Sequence, residues 1–160
     1  MIRVWMIAGV ILLATWPAVA GKKKPVELLT ASAAAQPNAP AGSEGREGER
    51  LFNATTAIPV PGAPQIVVEM PTTGAAVTTP FPVKIHFVPS SGAKINVDSV
   101  KVEVLKMIPI SLLSRVKPYM TAAGIFVPEA KIPAGSYNVH IAIADDQGRE
   151  GSVVQTWTVR

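Results

Sequence analysis

The chain has 160 residues, no cysteine, 15 prolines and a formal net charge of +4. That length allows one domain with extensions, and the missing cysteines exclude a disulfide framework, a zinc–cysteine site, a lipoprotein anchor and a thiol nucleophile. From Gln65 onward nine Lys/Arg stand against seven Asp/Glu, only +2, and with no basic helix or basic–aromatic interleaving no nucleic acid is expected as a partner.

Met1-Ile2-Arg3 opens the chain with a positive charge, Val4 to Trp16 is an apolar run, and Pro17-Ala18-Val19-Ala20 puts small residues before Gly21. This is the pattern of a signal peptide, residues 1–20, cut at an A-x-A site. The run is shorter than the roughly 20 residues that span a bilayer. Lys22-Lys23-Lys24 follows the site directly, and positive charge there resists translocation. The alternative is therefore an uncleaved N-terminal anchor, which would be the chain's only membrane contact. Both readings put the rest of the chain outside the cytoplasm.

Residues 21–64 change character. Ala31 to Ala41 is alanine, serine, proline and asparagine, and Ser43 to Arg50 is charge and glycine. Such composition buries too little apolar surface to offset chain entropy, so the stretch is expected to be a disordered linker. Leu28-Leu29 and Leu51-Phe52 are isolated apolar pairs without periodicity, and Asn53-Ala54-Thr55 matches a glycosylation acceptor pattern that is common by chance.

Strands are expected from there on. Gln65 to Met70 places Ile66 and Val68 on one face, and Pro71-Thr72-Thr73-Gly74 is a turn. Pro82 to Phe87 alternates Val83, Ile85 and Phe87 with Lys84 and His86, and its proline is tolerated because it opens the strand. Ser99 to Leu105 turns Val100, Val102 and Val104 inward, with Asn96 to Asp98 in the connection before it. Met107 to Thr121 allows two readings: one helical turn capped by Ser111 carrying Leu112 and Val116, or an edge strand from Val116 to Met120. Ile125 to Ile132 is the next strand, with Phe126, Ala130 and Ile132 expected on the core face and Pro128 marking an edge or a bulge.

The last thirty residues read as a closing hairpin. Pro133-Ala134-Gly135-Ser136 is a turn. Tyr137, Val139, Ile141 and Ile143 alternate with Asn138, His140, Ala142 and Ala144. Asp145 to Gly151 closes the hairpin with two glycines, and Ser152 to Val159 returns with Trp157 and Val159 inward. About fifteen inward residues, each contributing roughly 1.5–3 kcal/mol on burial, can hold such a domain without disulfides.

The runs P-F-P-V-x-I-x-F-x-P-x-x-G and I-P-A-G-S-Y-x-V-x-I-x-I-x-D-x-x-G-R resemble bacterial exported immunoglobulin-like and fibronectin type III-like domains. Tyr137, just after a turn at the start of a late strand, resembles their tyrosine corner. The resemblance implies an all-β fold for residues 65–160: a single immunoglobulin-like antiparallel β-sandwich of six or seven strands. It implies nothing about a ligand.

Chemistry-bearing residues are sparse. His86 and His140 sit on outward positions of strands that a sandwich assigns to opposite sheets, so they are not expected to form a catalytic pair. Small periplasmic copper carriers share the fold and use His and Met, but Met70, Met107 and Met120 are scattered. Asp145, Asp146 and Glu150 at the hairpin tip are too few for a calcium site. No phosphate loop, HExxH or GxSxG motif occurs. The sequence therefore yields no catalytic, cofactor-binding or metal residue and no cofactor. It leads to a non-enzymatic binding or structural protein of the periplasm or cell surface, whose partner is an envelope protein or polymer. The alternatives are a metal carrier and, more weakly, a hydrolase of unrecognised type.

Overall fold

The computed structural model of the chain describes residues 24–39, 61–90 and 92–160. Among the described residues ten strands form two five-stranded sheets. The first sheet is built on three strands in the order β2 (Gln65–Met70), β4 (Phe81–Val88) and β8 (Gly124–Lys131). The outer edge of β8 is shared by β1 (Val26–Glu27) at one end and β7 (Met120–Thr121) at the other. The second sheet runs β3 (Ala76–Val77), β10 (Glu150–Val159), β9 (Gly135–Asp145), β5 (Ile95–Val104), β6 (Ile110–Ser111). This is an all-β, two-sheet sandwich, as the alternation implies: six long strands and four two-residue ones among the described residues.

Period-two alternation fills the space between the sheets. Phe81, Val83, Ile85 and Phe87 face Val100, Val102, Val104, Tyr137, Val139, Ile141, Ile143, Trp157 and Val159 in one buried cluster. Phe81 meets Trp157 edge-on, with ring centroids 6.4 Å apart. Trp157 donates its indole N–H to Oε1 of buried Gln155 (3.1 Å), and the Gln155 amide donates on to Thr73, so this polar group inside the sandwich is satisfied.

Tyr137 occupies the corner position that its place after the turn implies. Its hydroxyl donates to the carbonyl of Pro133 at 2.9 Å. Gly135 lies beside the ring with φ 152°, and a Cβ there would sit 2.9 Å from the Tyr137 oxygen, so the corner needs glycine.

Four expectations are corrected. The largest concerns residues 24–39, which composition assigns to a disordered linker. Here they belong to the sandwich. β1 pairs in parallel with Ala130 and Lys131, and Leu28 and Leu29 are 1 % exposed within the core cluster. Thr30 caps a single helical turn, α1 (Ala31–Ala34). Asn38 then bridges to Lys106, just beyond β5. The segment thus runs from the edge of the first sheet to the second. Lys106, 5 % exposed, fastens it: its ammonium donates to Ala34 O (3.2 Å) and Asn38 Oδ1 (2.7 Å) and lies 5.0 Å from the centre of the Tyr137 ring. Met107 N donates to Pro37 O, and Arg115 Nη1 donates to Glu27 O at 2.8 Å. The signal segment, Ser43 to Arg50, Leu51-Phe52 and Asn53 lie outside the described residues.

The second correction is Phe126, expected inside and found 51 % exposed, while Ile125 and Val127 point inward. Phe81 pairs with Ala130 but Val83 with Val127, so β8 carries one residue more than β4 across Pro128-Glu129. This bulge reverses the inward phase on the two sides of Pro128. Third, His140 is outward but only 8 % exposed, covered among the outer-face residues of β5 and β10; its cross-strand partners are Glu103 and Val154. Fourth, Asn96 to Asp98 belong to β5 itself. Over Met107 to Thr121 the helical reading holds, with Leu112 rather than Ser111 at the cap: α2 (Leu113–Val116) buries Val116 next to buried Leu112. The edge strand expected from Val116 to Met120 is not formed there; Lys117–Tyr119 makes a 3-10 turn, and only Met120–Thr121, β7, is strand.

Candidate docking face

The outer face of the first sheet is the feature most suited to function. Alternation on β2 and β4 that turns Ile66, Val68, Val83 and Ile85 inward turns Val67, Lys84, His86 and Val88 outward. The bulge on β8 adds Phe126, opposite Lys84. Val67, Met70, Val88 and Phe126 all stand about half exposed. Apolar side chains of this size grouped on one sheet face are the usual mark of a contact surface.

Charge on the face is balanced. Glu69 reaches Nε2 of His86 with Oε1 (3.3 Å) and Nζ of Lys84 with Oε2 (3.8 Å). Lys84 Nζ also lies 5.6 Å from the Phe126 ring centre. All three charged or ionisable side chains are about half exposed, so each pair contributes little to stability.

Beside them is a cleft of about 390 Å³, lined mainly by apolar atoms of Tyr119, Thr121, Gly124 and Phe126 with Lys84 and His86 at its side. Gly124 lines it. This residue faces His86 across the ladder with φ 150°, and a Cβ would come within 2.0 Å of the Ile85 carbonyl oxygen. Only glycine lets the two backbones approach this closely.

The residues singled out in the sequence are dispersed. His86 and His140 occupy the outer faces of opposite sheets, as their strands imply. Met70 is on the docking face opposite Lys84, Met107 is on an exposed loop, and Met120 is half-buried on β7. At the hairpin tip, Asp145 is committed to the loop. Its Oδ1 accepts from the amides of Gln147 and Arg149 (both 2.9 Å) and its Oδ2 from Arg149 Nε (2.7 Å). Burial pushes the Asp145 pKa up, but these hydrogen bonds and the guanidinium outweigh it and hold the carboxyl below its usual range. Asp146 accepts from the Lys94 amide, and Glu150 pairs with Lys101 at 3.8 Å. Among the described residues no three His, Asp or Glu side chains converge as a metal site. The Thr121 hydroxyl in the cleft donates to Gly124 O at 3.2 Å, while His86 is engaged by Glu69. What the arrangement offers is apolar contact with a balanced charge pair. The sequence reading missed this face because it placed Phe126 inside; counting parity separately on the two sides of Pro128 would have found it.

No protein-family model matches the chain, and no curated protein does either. Among the solved structures that resemble it are two. An engineered protein from a structural genomics consortium is 18 % identical with a TM-score of 0.42, over 63 % of this chain and 21 % of that one. The fibronectin(III)-like modules of Clostridium thermocellum CbhA are 16 % identical with a TM-score of 0.36, over 60 % of this chain and 46 % of that one. The chain thus matches less than half the length of either structure. What the coordinates themselves show is an all-β, two-sheet sandwich.

Proposed function

We propose that the protein is exported and works without catalysis, as a binding or structural β-sandwich of the periplasm or cell surface that docks through the outer face of its first sheet. The observation behind this reading is the grouping of Val67, Met70, Val88 and Phe126 beside a largely apolar cleft. Outward positions of a solvated sheet normally carry polar side chains. Export rests on the A-x-A pattern before Gly21, and N-terminal sequencing of the exported protein should begin at that residue. The docking claim is tested by capture from envelope extract with the wild type and with Phe126→Asp, at equal folding by circular dichroism. A partner held by the wild type and lost from the variant supports it. Identical capture by both proteins would rule the face out.

A further inference from the structure

We propose that the occupant of this face is a second copy of the chain. The inference rests on the reading of the face as a docking surface and adds the identity of what covers it. Charge is the first argument. A two-fold contact sets one patch against itself, so a patch of single sign repels its own mate. On β2, β4 and β8 the fixed charges this face turns outward are Lys84 and Lys131 against Glu69 and Glu129, with Lys84 and Glu69 3.8 Å apart. Its fixed charges cancel although the whole chain carries +4, so self-contact here is free of net repulsion and Glu69–Lys84 pairs can also form between copies.

The second argument is the layout. Apolar side chains flank the charged strand on both sides: Val67 and Met70 on β2, Phe126 and the cleft on β8, with Lys84 and His86 on β4 between them. Turning one copy over about an axis along β4 lays β2 of each copy on β8 of the other. Val67 and Met70 then meet Phe126 and the cleft of the mate. The layout of the face is thus compatible with two-fold self-contact.

Sedimentation velocity of the exported chain over a range of concentrations tests this. The wild type should show a monomer–dimer equilibrium. Phe126→Asp should weaken it about 30-fold or more, the effect of losing a central anchor. Lys84→Glu and Glu69→Lys should each be monomeric alone and should form a heterodimer when mixed, because the two variant faces then carry opposite net charge. A dimer that persists in all three variants, or charge variants that fail to pair on mixing, overturns the proposal. A wild type that stays monomeric also overturns it, and the capture experiment then decides whether the face serves a different partner or none.

Discussion

Leu28 and Leu29 are buried as deeply as Tyr137, Val139, Ile141 and Ile143, yet the two regions reach the core by different means. The β9–β10 hairpin carries its instructions locally. Inward positions along the ladder are apolar but for Gln155, the turn residues stand at both ends, and the ladder pairs Glu150↔Ala144 through Val159↔Gly135 without a break. The N-terminal segment is fixed by residues about 70 to 105 positions away. Its partners are Lys131 and Arg115 for β1, and Lys106 for α1 and Asn38. Two adjacent leucines both point inward because the chain leaves strand geometry after Glu27. The contrast teaches that alternation reports only on strands that pair along their length. A segment that docks by side-chain contacts has no local pattern of its own, and its small, polar composition reads as linker.

Mutations can break this comparison at its strongest point. Tyr137→Ala should cost about 3–5 kcal/mol, and Leu29→Ala about 2–5 kcal/mol. Urea melts of the two variants should therefore both shift far below wild type. If residues 24–39 were a loose linker, Leu29→Ala would stay within about 0.5 kcal/mol. Next comes Lys106→Met, which keeps the stem but leaves Ala34 O and Asn38 Oδ1 without their donor. About 1–3 kcal/mol is expected, read in the same melts. Tyr137→Phe, which removes only the hydroxyl bond to Pro133, should cost about 0.5–1.5 kcal/mol.

Acid sharpens the comparison within the second sheet, with smaller effects. Asp145 has a lowered pKa in the fold, so its stabilisation is complete above the unfolded value, about 3.9, and is lost as pH falls through the folded one. His140 is also lowered, chiefly by burial; Glu103 and Glu150 oppose the shift and Lys101 adds to it. Its folded form resists protonation, so stability declines as pH drops below about 6.5, the unfolded value, towards the folded one. Midpoints of urea melts against pH should show both windows. His140→Ala should remove the upper one and leave the lower, and an unchanged profile in that variant would assign the upper window elsewhere.

Much of the fold was legible. β2, β4 and the hairpin agree with the expected strands, and Tyr137 makes the expected bond to Pro133. The docking face was only half legible. Val67, Lys84 and His86 follow from parity, but Phe126 depends on a bulge whose position is set by pairing with β4. His140 is covered by neighbours across the sheet, which its own strand cannot reveal. In each case the missing information is tertiary: a register shift, a neighbouring strand, or a distant lysine.

Hydrogen exchange at the amide of Leu28 tests most directly whether the sandwich begins near residue 26. That amide donates to the Lys131 carbonyl at 3.0 Å, beside a fully buried side chain. Protection approaching that of the β9 amides, which open only with the whole domain, is the predicted result. Exchange at the rate of an open chain, with β9 still protected, would contradict it and return residues 24–39 to the linker.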